Sequence, residues 1–400
     1  MSTSEEWPAT TAPAELLVEE LLASEHTVDT TEIPRIVNRY AVATGLDGVF
    51  IHLADVQQNW LISLTGDAEL PIESSTAGLA YRTSSVRVVE AADGCHTVWL
   101  PLLEGADRVG VLGVRTRSLE EPVLARCRRL AALIAAAITA KHTHSDTLTR
   151  LTRSRPMLLP AEMVRTFLPP RTLGTDQVTS TAVLEPAYEV GGDAFDHAIS
   201  GEHLSAAILD AMGHDLASGL ASSVAIAGGR NARRNGADLP GLVSAVDGAL
   251  TKWVPDRFCT GVFVRLHLPT GVMRWVNCGH PPPLLIRDYK VIDGAFERDS
   301  EPPLGVAASL LAGNRTIHRI RLEPGDRVLL YTDGVVEARS EDGDEFGLER
   351  FTDFIVRAAM ADESAPETLR RLIHALLRHR DHRLSDDVCI LLIEWRPGEV

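Results

Sequence analysis

Asp193, Asp210, Asp333, Asp386 and Asp387 are the residues of this sequence best placed to do chemistry, because each adjoins an apolar run. Asp193 follows the pair Gly191 and Gly192, where the backbone can turn sharply, and Asp196 stands three residues further on. Asp210 closes the run Leu204 to Leu209, Asp333 follows RVLLYT, and the pair 386–387 precedes VCILLIEW. These patterns place carboxylates at the ends or turns of buried strands. An aspartate beside a glycine is ordinarily a turn or cap residue, but the recurrence beside three apolar runs asks for more. Carboxylates gathered at strand ends repel one another, and cations between them relieve the repulsion. The spacing therefore points to a metal site.

The elements that must position these groups fall into two sets. From Ala14 to about Thr44 apolar residues recur at helical spacing, and Gly45 ends the segment. Strands are expected at 48–54, 59–64, 86–90, 97–103 and 109–116, then a helix from Glu120 to Lys141. Residues 1–13, rich in Ser, Thr, Pro and Ala, read as a mobile tail. A weakly periodic joint with Pro156 and the pair Pro169–Pro170 separates residues 14–142 from 171–400. The second part alternates nine strand candidates with two helical blocks, 216–254 and 363–380, which predicts an α+β fold of two sheets covered by helices. Trp60 and Trp99 are expected as core or as the lining of a pocket in the first part.

Composition excludes several functions. A chain of 400 residues with 45% apolar and 24% charged side chains can bury cores for two domains. The formal charge of −16 and the absence of a basic run speak against nucleic acid as a partner. Five cysteines without a CxxC pair imply neither a disulfide framework nor a thiolate zinc site. The sequence shows no secretory leader, and its longest apolar helical run, 130–140, is short for a membrane span, so a cytoplasmic location is expected.

The first part resembles a GAF domain, a small ligand-sensing module of α/β/α build. The resemblance rests on the element order, on TAGLAYRTSSVRVVE (76–90) and on VWLPLLEGADRVGVLGVRT (98–116). It implies a small-molecule or protein signal at residues 14–142, with a degenerate dimerisation module as the alternative. The joint 143–170 is then a helical linker, and the helix before it could serve a homodimer.

Six blocks of the second part resemble the metal-dependent protein phosphatases of type 2C, in their bacterial SpoIIE-like branch. They are EVGGDAFD (189–196), LDAMGHDLASG (209–219), FCTGVF (258–263), NCGHPPPLL (277–285), YTDGVVEAR (331–339) and SDDVCILLI (385–393). The resemblance implies an α-β-β-α sandwich and two divalent cations, Mn²⁺ or Mg²⁺, the hard ions that oxygen donors select. Asp210 would bridge the ions and Ala211 would offer its backbone carbonyl. Asp193 would hold the first ion, directly or through water, while Asp333 and Asp386 would complete the second. Asp387 would brace the ligands from outside, or exchange roles with Asp386. Asp196 would brace the turn. His214 is a candidate proton donor, with a structural hydrogen bond as its alternative, and His280 is expected to fix a turn. Asp215, where relatives carry Gly, is expected as a helix N-cap.

The resemblance further implies hydrolysis of phosphoserine or phosphothreonine on a phosphorylated anti-sigma-factor antagonist, controlled by the first domain through the joint. Two other readings stand beside it. One is a phosphatase-like scaffold without activity. The other is a nucleotide cyclase, suggested by GGDAF alone.

Overall fold

The structure, a computed structural model, describes residues 20, 32–142, 145–189, 191–213, 215–299, 301–306, 315–339, 343–379, 384 and 386–397. The tail 1–13 and most of the helical segment expected from Ala14 lie outside the described residues. Two compact units divide the chain, Met1–Arg155 and Pro156–Val400.

The first unit runs α1 (Glu32–Ala43), β1 (Gly48–Ala54), β2 (Trp60–Ser63), β3 (Leu70–Pro71), α2 (Thr76–Thr83), β4 (Arg87–Glu90), β5 (His96–Glu104), β6 (Asp107–Thr116), α3 (Glu121–His142) and α4 (Asp146–Leu151). Its antiparallel sheet has the order β3-β2-β1-β6-β5-β4. Ile33 and Val37 of α1 and Ile134 and Ile138 of α3 cover one face, packing on Ile51, Leu100 and Leu112. The other face buries Leu61 and Val111 beneath Ala77, Ala80 and Tyr81 of α2. That helix was not expected: eight residues containing Gly78 give little periodicity, and it is held by its Ser75 cap, which accepts the Gly78 N–H at 2.9 Å. Trp60 is 46% exposed, whereas Trp99 packs across Gly113 and edge-on to His52.

The second unit opens with α5 (Leu159–Phe167), β7 (Thr172–Gly174), β8 (Val178–Glu185), β9 (Asp193–Ser200) and β10 (His203–Ala211). Helices α6 (Leu216–Arg234) and α7 (Leu239–Trp253) follow, then β11 (Cys259–His267), β12 (Val272–Cys278), β13 (Leu284–Arg287), β14 (Lys290–Val291), β15 (His318–Arg321) and β16 (Arg327–Tyr331). A 3-10 turn at Asp333–Val335 leads to α8 (Gly347–Met360), α9 (Ala365–His379) and β17 (Val388–Trp395). Two antiparallel sheets result, β15-β12-β11-β10-β9 and β14-β13-β16-β17-β8-β7.

Strand β17 explains the layering. Its odd residues Cys389, Leu391, Ile393 and Trp395 face the first sheet's Phe195, Ile208 and Trp275 in one core. Its even residues Val388, Ile390 and Leu392 meet Phe351 and Ile355 of α8 and Leu372 and Leu376 of α9. A strand covered on both faces reads as an unbroken apolar run, each side chain contributing about 2 kcal/mol of burial. Residues of α6 and α7, among them Ala225, Val243 and Val246, cover the outside of the five-stranded sheet. The architecture is therefore α-β-β-α. Among the described residues no helix is long and apolar enough to cross a membrane, and all five cysteines are free and buried.

Three expectations need correction. A helix beyond the two expected blocks, α8, covers the second unit with its own apolar stripe at Phe351, Ile355 and Ala358, diluted by charged neighbours. The block expected at 216–254 breaks at Gly236 (φ +79°), after which Asp238 caps α7. In addition, Asp196 braces no turn. It lies inside β9, where its two carboxylate oxygens accept from Arg230 (2.8 Å) and Arg233 (2.7 Å) of α6. Asp196→Ala strands two largely buried guanidinium groups. We expect a loss of about 3 kcal/mol in urea denaturation; an unchanged midpoint would show that these pairs do not fasten α6.

Candidate metal centre

The carboxylates meet where the two sheets come together. In the register of β9 and β10, Asp193 stands opposite Asp210, and Asp210 also faces Thr260 across β11. Strand β10 does not stop at Asp210, as expected, but continues to Ala211, so this carboxylate sits within a paired strand. From the other sheet, Thr332 follows β16 and donates its hydroxyl to Asp193 Oδ2 at 2.7 Å. Its Oγ1 also accepts the Cys389 N–H at 2.9 Å, so one side chain joins β16, β17 and β9. Asp333 is the next residue and starts the 3-10 turn.

Asp387 has a different place. Its Oδ2 accepts three backbone N–H groups, from Gly191 (2.8 Å), Gly192 (2.7 Å) and Asp193 (3.2 Å). The glycine pair thus forms a nest around this carboxylate, and Asp387 itself donates its N–H to Asp386 Oδ1 at 2.9 Å. Two glycines are obligatory by contact. A Cβ at Gly192 would collide with the Ala211 carbonyl, and one at Gly334 with the Asp387 carbonyl. Ala211 donates its N–H to the Gly192 carbonyl at 3.2 Å, and Ser222 of α6 donates its hydroxyl to the same oxygen.

Burial and mutual repulsion govern these acids. Burial first, then the Asp210 and Asp387 charges, push the Asp193 carboxyl well above the usual carboxylate range. Asp210 rises to about 7, by burial and then by Asp333, Asp386 and Asp387. Asp333 is raised by burial and by Asp386. Asp387 is raised by burial in spite of the three N–H groups that favour its charged form. Among the described residues no donor reaches the Asp210 carboxylate.

An oxygen-only set of this kind fits hard divalent cations. Among the described residues no three His, Cys, Asp or Glu groups are drawn closely enough to hold an ion as they stand. The fit therefore rests on convergence and repulsion.

The remaining candidates separate clearly. His280 is buried, its Nδ1 at 2.8 Å from Thr260 Oγ1 and its Nε2 at 3.0 Å from the Tyr331 carbonyl. Burial lowers its pKa to about 4, so the ring is neutral and spans the two sheets. The turn expected of it is made by its backbone, bonded reciprocally to Asn277. Asp215 caps α6 by accepting the Ser218 N–H at 2.9 Å. The Ser218 bonds, then Arg257, hold its carboxyl at about 2. His214 lies outside the described residues. Thr332, Ser222 and Arg257 were not foreseen. For Thr332 a signal existed, since it directly precedes Asp333.

Residues 200–396 match the family model described as Stage II sporulation protein E (SpoIIE). Over 268 residues, 58% of this chain, the sequence is 24% identical to Protein IcfG of Synechocystis sp., and it spans 40% of that relative's length. Among solved structures, the SiaA-PP2C domain of Pseudomonas aeruginosa is similar with a TM-score of 0.50 and 20% identity, over 59% of this chain and 94% of that one. The RsbU and RsbW domains of Rv1364c from Mycobacterium tuberculosis give 0.48 and 22%, over 57% and 63%. Residues 200–396 thus carry the match to the SpoIIE family model, and the second unit shares its fold with the SiaA-PP2C domain.

The raised Asp210 value carries a sign. In the ion-free folded state Asp210 keeps its proton up to about pH 7, whereas in the unfolded chain it ionises near the ordinary value of 3.8, so its ionisation destabilises the fold as pH rises between them. Asp210→Asn removes that dependence. In chelator, the variant's stability margin over the parent should widen from pH 5.5 to pH 8 by on the order of 1–2 kcal/mol. Equal margins at both pH values contradict the burial and crowding of this group.

Proposed function

We propose that the chain is a metal-dependent protein phosphatase that hydrolyses phosphoserine or phosphothreonine on a regulatory protein. The observation that supports this reading is the mutual repulsion of Asp193, Asp210, Asp333 and Asp386 at the sheet junction, where among the described residues no donor reaches the Asp210 carboxylate. Asp193, Asp210, Asp333, Asp386 and the Ala211 carbonyl would hold two divalent cations, Mn²⁺ or Mg²⁺. When bound, such ions supply an acidified water and neutralise phosphoryl oxygens.

The chain's own residues prepare the site. Thr332 fixes one oxygen of Asp193. Asp387 shapes the glycine turn that aims Asp193. His280, neutral and engaged at both ring nitrogens, locks β11 to β16 beside Asp333. It is therefore not a free acid, and His214 remains the candidate proton donor in this reading.

The substrate class rests on the SpoIIE-like resemblance of the sequence blocks: a phosphorylated anti-sigma-factor antagonist, released by dephosphorylation to bind its partner. Within the same proposal the first unit is a GAF-like sensor acting through residues 143–170, with homodimerisation through α3. The contacts of Ser222 and Gly219 with the Gly191–Gly192 turn support α6 as the receiving element.

Full-length protein incubated with phosphorylated candidate antagonists should release phosphate with Mn²⁺ and not with chelator. Asp210→Asn and Asp333→Asn should each lower the rate by more than about 100-fold without lowering the melting temperature. Metal-independent release, or Asn variants as active as the parent, would overturn the proposal.

A further inference from the structure

The loop between Asp210 and α6 contains the main departure from the family blocks, Asp215, and the structure gives that departure a partner. Arg257, just ahead of β11, donates Nη2 to Asp215 Oδ2 at 2.7 Å and Nη1 to the Met212 carbonyl at 2.9 Å. Ser218, fully buried, places its hydroxyl 2.9 Å from the same Met212 carbonyl and 2.8 Å from Asp215 Oδ1, its single proton shared between the two acceptors. The contacts close into a ring: Arg257, Met212 carbonyl, Ser218, Asp215 and back to Arg257. Met212 also donates its N–H to the Phe258 carbonyl at 3.2 Å, so the ring is anchored to the chain that leads into β11.

A helix cap needs only part of this. Capping α6 requires the Ser218 N–H and the Asp215 carboxylate, which Asp215 satisfies alone. Arg257 adds a tie from a different element to the carbonyl one residue beyond Ala211. Inside the ring Gly213 takes φ +90°, and its carbonyl oxygen lies 2.6 Å from the place of a Gly192 Cβ. The ring therefore packs closely against the turn that carries Asp193, which Asp387 holds through its backbone N–H groups.

We propose that Arg257 and Asp215 form a positioning latch that sets the Ala211 carbonyl and the Gly191–Gly192 turn in register for divalent-cation uptake. The proposal rests on the metal-dependent reading above. Neither residue touches the reacting atoms. Arg257 is 24% and Asp215 55% exposed in their side chains, and exposed ion pairs add little to global stability. A latch and a mere structural brace therefore differ in what they move.

Mn²⁺ titration calorimetry on the full chain, paired with melting curves in chelator, tests it. Arg257→Gln is expected to weaken Mn²⁺ uptake about tenfold, in keeping with the loss of a charge-assisted hydrogen bond. The ion-free melting temperature is expected to shift by less than about 2 °C. Asp215→Asn combined with Arg257→Gln should be no weaker than Arg257→Gln alone, since both cut one ring, and Arg257→Lys should recover part of the affinity. Uptake by Arg257→Gln equal to the parent's, or a loss matched by a lowered melting temperature, overturns the latch and leaves the phosphatase reading standing. Failure of the parent itself to take up Mn²⁺ overturns both.

Discussion

Repulsion among crowded carboxylates, with Asp193 buried and Asp210 and Asp333 partly so, governs the junction of the two sheets. Asp193 and Asp210 lie opposite each other on neighbouring strands, and like charges so placed in low dielectric resist joint ionisation. The second sheet adds Asp333 and Asp386 to the same junction, and among the described residues no cation offsets them. By contrast, Asp196, on the same strand as Asp193, receives two arginines. The chain thus neutralises the acid that fastens a helix and leaves uncompensated the acids that converge. Such an imbalance is costly in a core and is retained where a ligand of opposite charge relieves it.

The fold supplies the rigidity that such a site needs. Strands β10 and β17 are central in their sheets, paired on both edges, so Asp210 and the start of β17 cannot shift independently of the core. Thr332 and His280 cross from one sheet to the other within a few residues of Asp210 and Asp333, binding the junction with hydrogen bonds that need no charge. Elements near the site are held by backbone groups: the glycine turn by Asp387, the α6 start by Asp215 and Arg257. Carbonyls and N–H groups are placed by these contacts as firmly as side chains are.

Much of this was legible in the sequence, for reasons that differ by element. VCILLIEW reads as a strand because both of its faces are buried, and Leu204 to Leu209 because β10 is covered by α6 on one side and by the second sheet on the other. The acids stood out because each adjoined such a run. Helix α8 was missed because Phe351, Ile355 and Ala358 make a thin stripe among charges, and α2 because a single cap and the packing of Tyr81 sustain it. A division of labour among the acids is implied by the resemblance alone. Thr332 meets Asp193 across 139 residues and Asp387 meets Gly191 across 196, and no local pattern encodes either distance. The ring at Arg257 is similar: Asp215 announced a cap, but its second partner comes from 42 residues downstream.

Whether these acids take up cations is tested by anomalous diffraction from a manganese-soaked crystal of the full chain. Two peaks separated by about 3.5–4 Å are predicted among Asp193, Asp210, Asp333 and Asp386, with Asp387 still bound to the glycine turn. A map with no manganese between these side chains, or with the carboxylates turned apart towards solvent, would contradict it.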